Sequence, residues 1–149
     1  MRFLELHLPA YGPFTDVVLD LSQGEEGLHV LYGPNEAGKS SALRAIHALL
    51  FGIHGRTTDN FLHAYGDLRV GARLGLGDGT EHFFWRVKRN KEALRDANDQ
   101  PVEEQMLAQL LGGVTDTVFA DAFGLDHDRL VRGGEALLAG GGKAGESLF

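Results

Sequence analysis

Apolar and polar residues alternate from Phe3 to Leu8, with Leu4, Leu6 and Leu8 on one side and Glu5 and His7 on the other. A period of two predicts a strand with one buried face. Tyr11-Gly12-Pro13-Phe14 reads as a turn, and alternation resumes over Val17–Leu21. Leu28–Tyr32 is short and mostly apolar, the pattern of a more buried strand. From Ser40 to Phe51 the spacing changes: Ala42, Leu43, Ile46, Leu49 and Leu50 recur as on one helix face, and Gly52 supplies a stop. Leu68–Leu76 is the clearest strand, with Leu68, Val70, Ala72, Leu74 and Leu76 on one face. Gly77-Asp78-Gly79 turns it into Thr80–Lys88, which predicts a hairpin. A short strand at Ala93–Asp96 follows. Then come a helix from Pro101 to Leu111 and another capped by Thr115 or Asp116.

Composition narrows the class. The chain has 149 residues, of which 43% are hydrophobic and 23% charged, which suits one folded domain. A net charge of −7 argues against nucleic-acid binding over the whole surface, but leaves room for a local basic patch. No Cys is present, so disulfides and thiolate chemistry are excluded, and the scattered His residues show no zinc-like spacing. No apolar run approaches the roughly 18 residues of a membrane span, and the N-terminus lacks a signal-peptide pattern. The expected location is cytoplasmic, with no membrane partner. Gly is unusually abundant at 21 residues, six of them between Gly133 and Gly145.

Gly33-Pro34-Asn35-Glu36-Ala37-Gly38-Lys39-Ser40 fits the phosphate-loop pattern G-x-x-x-x-G-K-[ST], between an apolar stretch and an amphipathic helix. Gly33 and Gly38 let the backbone wrap a phosphate without a Cβ clash. Amides from Asn35 to Ser41, with the positive end of the following helix, form an anion site. Lys39 is expected to reach the β- and γ-phosphates, and the Ser40 hydroxyl to ligate Mg²⁺. No [NT]KxD guanine-reading motif occurs, which favours ATP over GTP.

GPNEAGKSS, preceded by two short strands, resembles the N-terminal lobe of SMC-like ATPases, the ABC-type heads of chromosome-maintenance and double-strand-break-repair proteins. AYGPF, LLFG, FLHAYGDLRVGA and FGLDHDRLVRGGEALL resemble the YhaN-like branch of that group. The resemblance implies an α/β P-loop NTPase fold with an antiparallel β layer, ATP and Mg²⁺ as cofactors, and hydrolysis between two heads of a homodimer. It also implies a Walker B run of four aliphatic residues followed by Asp-Glu, and a signature serine. No such run exists here: Val17-Val18-Leu19-Asp20 is followed by Leu21. The chain therefore reads as the N-terminal lobe alone, without coiled coil or C-terminal lobe, and by itself is expected to hydrolyse ATP near background. A complete small P-loop protein is the alternative, with Asp59 or Asp67 supporting the metal. The family's Q-loop Gln, a catalytic contact, falls opposite His127, with Asp126 and Asp128 as oxygen-bearing neighbours. Arg56 reads as a solvated surface residue.

Within 1–149 the expected regions are the phosphate loop at 33–40, a hairpin region at 68–96, and a helical, Gly-rich region at 101–149. Seven of the 14 basic residues lie between Arg69 and Arg95, against three acids. Alternation sets Arg69, Arg73, Arg86 and Lys88 opposite the apolar residues of their strands. Together with Arg89 they form a candidate DNA face, and an ordinary solvated face is the competing reading. Phe83 and Trp85 read as core. Two functions remain open: an ATPase head, or a nucleotide-gated interaction module with little hydrolysis.

Overall fold

The computed structural model describes residues 1–23, 28–123 and 131. Its elements, in chain order, are β1 (Arg2–Tyr11), β2 (Phe14–Asp20), α1 (Lys39–Phe51), β3 (Arg69–Gly75), β4 (Glu81–Val87), β5 (Leu94–Arg95), α2 (Glu104–Leu110) and α3 (Asp116–Ala122), with a 3-10 turn at Tyr65–Asp67. The strands form one antiparallel sheet in the order β2-β1-β3-β4-β5.

Alternation decides which face is buried. Leu4, Leu6 and Leu8 of β1 point the same way as Val70, Ala72 and Leu74 of β3, and all six are almost fully buried. The register lines up Leu19, Leu6, Ala72 and Phe84 across four strands. α1 lies across β1, β3 and β4. Its buried face is mostly small, with Ala42, Ala45 and Ala48 beside Leu49 and Leu50, so the helix approaches the sheet closely. Each buried leucine in this layer is worth about 1.5–3 kcal/mol relative to exposure.

The chain divides into two compact units, Met1–Val114 and Thr115–Phe149. In the second, α3 is capped as expected: the Val118 amide donates to Thr115 Oγ1 at 3.3 Å.

Three expectations need correction. Leu28–Tyr32 is not a strand. Leu28, Val30 and Tyr32 are 90%, 75% and 97% exposed. A strand requires a hydrogen-bonded neighbour, and none of the described strands pairs with this segment. The second helix begins at Glu104 rather than Pro101, because Pro101 bridges to Arg95 and extends the sheet edge. The third concerns the basic hairpin. Val70 pairs with Arg86, so Arg86 points to the α1 side, whereas Arg69 pairs with Val87 and Arg73 with Phe83 on the opposite side. The expected single basic face is therefore split between the two sides of the sheet. Phe83 and Trp85 lie on the side away from α1, half-buried against the His7 ring.

Candidate functional site

The loop Gly33–Gly38 leads directly into α1. Gly38 is the N-cap residue at φ 91°, a left-handed conformation that disfavours any side chain. Glu36 is also left-handed at φ 67°. The Ala37 amide donates to the Pro34 carbonyl at 3.3 Å, and Ala42 to Gly38 at 2.8 Å. No side chain caps α1, and its first turn carries no acid. Its leading N–H groups thus have no competing carboxylate from that turn, the arrangement that suits an anion.

Lys39 folds back over the loop. Its Nζ donates to the carbonyls of Gly33 at 2.8 Å and Pro34 at 2.7 Å. This clasp holds an ammonium inside the ring of the loop. Asn35, Glu36, Gly38, Lys39, Ser40 and Ser41 line a cleft of about 430 Å³ with Pro13 and Phe61. Of the nine expected binding residues, these six share the cleft. Gly33 and Pro34 hold Lys39, and Ala37 closes the turn between them. A hard hydroxyl at Ser40, a lysine and uncapped helix amides fit a Mg²⁺–triphosphate.

The loop has supporting contacts that the motif did not reveal. Phe14, the first residue of β2, lies so close to Gly38 that a Cβ there would sit 2.6 Å from Phe14 Cζ. His63 Nε2 lies 2.8 Å from the Phe14 carbonyl oxygen and 3.2 Å from Thr15 Oγ1, tying the segment after α1 to the start of β2. Gly and Pro in AYGPF announce a turn, but nothing in the sequence pairs that turn with residues 24 or more positions away.

Asp59 is 1% exposed, and both carboxylate oxygens accept from Arg44, at 2.8 and 2.7 Å. It is therefore a structural ion-pair partner, which removes it as the metal-supporting acid. Hydrogen bonding to Asp59 raises the Arg44 pKa. Tyr11 donates to the Arg44 carbonyl at 3.5 Å. Burial, and then the Asp59 charge, push the Tyr11 phenol well above its ordinary value. Asp67 sits in the exposed 3-10 turn and does not line the cleft. Arg56 lines a smaller depression with Arg44, His54 and Asp59. His127, Asp126 and Asp128 lie outside the described residues.

The candidate DNA residues have other partners. Arg86 is 2% exposed; its Nε donates to the Leu49 carbonyl at 3.0 Å and its Nη1 to Glu104. Lys88 Nζ donates to the Ile53 carbonyl at 3.0 Å. Arg86 of β4 lies at the C-terminal end of α1, whose own last turn has no basic residue, and Lys88, just after β4, binds just beyond it. Arg69 pairs with Asp99 and stacks on Trp85, 4.3 Å from the ring centroid. Arg73 bridges Glu5 and Glu81, and the hydrogen bonds from His7 and Arg73 lower the Glu5 pKa. Arg89 remains exposed on the turn after β4.

Over residues 1–149 the sequence matches the family model described as an AAA domain. The chain belongs to this AAA-domain family. It is also 38% identical over 53 residues to the protein YhaN of Bacillus subtilis (strain 168), a stretch covering 36% of this chain and 5% of YhaN. These matches support an N-terminal region of a YhaN-like, SMC-like AAA ATPase, and place the chain in the P-loop NTPase class, consistent with its sheet-and-helix architecture. The family suggests ATP binding and hydrolysis in general.

Proposed function

We propose that this chain is the nucleotide-binding N-terminal lobe of an SMC-like head, and that it holds MgATP on Gly33–Ser41. The observation that carries this reading is the Lys39 clasp beside an uncapped helix N-terminus. In this proposal Lys39 balances the β/γ-phosphate charge, the amides of Gly38–Ser41 donate to the phosphates, and Ser40 offers its hydroxyl to the metal. With Ser40 and the phosphates holding it, a Mg²⁺ ion would supply charge neutralisation on the triphosphate. Pro13 and Phe61 line the cleft beside the loop.

Hydrolysis also needs an acid to orient water. The sequence contains no aliphatic-Asp-Glu run, and Asp59 is engaged by Arg44. We therefore assign turnover to a head in which a second lobe supplies that acid and a second copy closes over the nucleotide. Positioning and electrostatics make up nearly all of phosphoryl-transfer catalysis, so this lobe alone binds without turning over. A nucleotide-gated module with little hydrolysis is the second reading, favoured by the same missing acid. A role in DNA repair or chromosome maintenance, and a cytoplasmic location, extend the proposal. In it, Arg89 and Lys91 on the exposed turn after β4 would meet DNA phosphates.

The test measures MgATP binding and phosphate release for this chain and its Lys39→Ala variant. Micromolar to millimolar binding, lost by at least tenfold in the variant, with phosphate release at background, is the expected result. Binding unaffected by Lys39→Ala would overturn the assignment of the loop.

A further inference from the structure

We infer that Asp59 is a positioning residue that holds the three walls of the nucleotide cleft in register. The inference rests on the nucleotide reading above and adds to it a residue that touches neither phosphate nor metal.

Asp59 is a junction of three chain segments. Its carbonyl accepts from the Gly12 amide at 2.7 Å, fixing the turn between β1 and β2. Its carboxylate takes a two-pronged bond from Arg44 in the second turn of α1. Its own amide donates to Thr57 Oγ1 at 3.2 Å, which closes the local loop. Each segment contributes one wall of the cleft: Pro13 follows Gly12, Ser40 and Ser41 begin α1, and Phe61 lies two residues beyond Asp59.

The packing leaves little slack. Gly12 has φ +55°, and a Cβ there would meet Ser41 Cβ at 3.1 Å and Asp59 Oδ1 at 3.2 Å. The turn, the helix and the aspartate are therefore in mutual contact, and a shift of one moves the others. Arg44 extends the junction into the cleft itself. Its Nη2 donates both to Asp59 Oδ1 and to Ser41 Oγ, the latter at 2.9 Å. A hydroxyl has a single proton. With its oxygen accepting from Arg44, Ser41 keeps that proton to donate, which suits an acceptor-only ligand such as phosphate. Asp59 thus orients Ser41 through Arg44 and spaces Pro13 and Phe61 through the backbone.

A buried pair that served stability alone would affect the fold without regard to nucleotide. The positioning role makes a separate demand: the three segments loosen together, and affinity for MgATP falls while the sheet stays intact. The experiment uses Asp59→Asn, which keeps the shape and removes the charge. Arg44→Gln, at a half-exposed side chain, is the second variant in case Asp59→Asn does not fold. Amide hydrogen exchange is followed without ligand, and MgATP binding is measured on the same samples by calorimetry. The expected result is a loss of protection shared by residues 12 and 14, 38–42 and 59–63, with β3 and β4 unchanged. MgATP affinity should drop about 10- to 100-fold, the scale on which small misplacements act. The double variant should be no weaker than the weaker single one, since both remove one interaction. Unchanged protection in the folded variants overturns the junction. Protection lost with MgATP affinity unchanged overturns the positioning role. If the parent chain binds no MgATP, the nucleotide reading falls and the positioning role with it, while the exchange pattern still reports on the junction.

Discussion

The guanidinium of Arg86 donates through Nε to the carbonyl of Leu49, 37 residues earlier in the chain, at 3.0 Å. A charged residue of a β-strand thereby caps the end of the phosphate-loop helix. Lys88 donates to the carbonyl of Ile53, two residues beyond the helix. The helix lacks basic residues of its own in its last turn, and Arg86 supplies a positive charge there from the sheet.

This pairing makes Arg86 a stability residue. Arg86→Ala opens a cavity under α1 and leaves the Leu49 carbonyl without this donor, at an expected cost of about 2–5 kcal/mol. Arg86→Met fills most of the volume and also removes the Nη2 group, which is buried without a partner. It should cost clearly less than Arg86→Ala. Urea unfolding midpoints of the two variants check the order. Equal midpoints for Arg86→Ala and the parent would remove the capping argument.

Gly38 is expected to tolerate no substitution. A Cβ there requires φ near +91° and a contact of 2.6 Å with Phe14. Gly38→Ala should therefore displace the loop or the Phe14 ring and weaken MgATP binding by at least tenfold, measured by titration calorimetry. Pairing it with Phe14→Ala relieves the clash but not the backbone strain. The double variant should recover only part of the affinity.

Alkaline stability should depend on Tyr11. Its folded pKa lies above the unfolded value of 10.0, through burial first and then through Asp59. A raised folded pKa means that the neutral phenol is favoured in the native state. Its contribution is complete below pH 10 and declines above it, as the unfolded chain ionises first. Tyr11→Phe cannot ionise, so its melting temperature should fall less steeply above pH 10 than the parent's. Parallel curves from pH 9 to pH 11 would show that Tyr11 does not carry this dependence.

The loop from Gly33 to Gly38 and the helix that follows it were legible in the sequence because their signals are local. Gly33, Gly38, Lys39 and Ser40 act through backbone freedom and a helix terminus that belong to the same few residues. β1, β3 and β4 were legible for a similar reason, since a period of two identifies a half-buried strand without reference to its neighbours. Their ends moved by only one to three residues between pattern and structure.

What the pattern could not supply was which side of β4 faces the helix. Its two faces carry Phe83, Trp85 and Val87 on one side and Phe84 and Arg86 on the other, so both hold aromatics. Only pairing with β3 decides the matter: Val70 opposite Arg86 turns that arginine inward, and the apparent basic face divides. Leu28–Tyr32 shows the same limit, because an apolar run specifies a strand only where another strand accepts its hydrogen bonds. Asp59 is the clearest case. In the sequence it is an acid in a polar loop, with support of a metal as its candidate role. Its place between Gly12 and Arg44 depends on contacts spanning 47 and 15 residues, and such contacts exist only after the sheet and α1 have packed together.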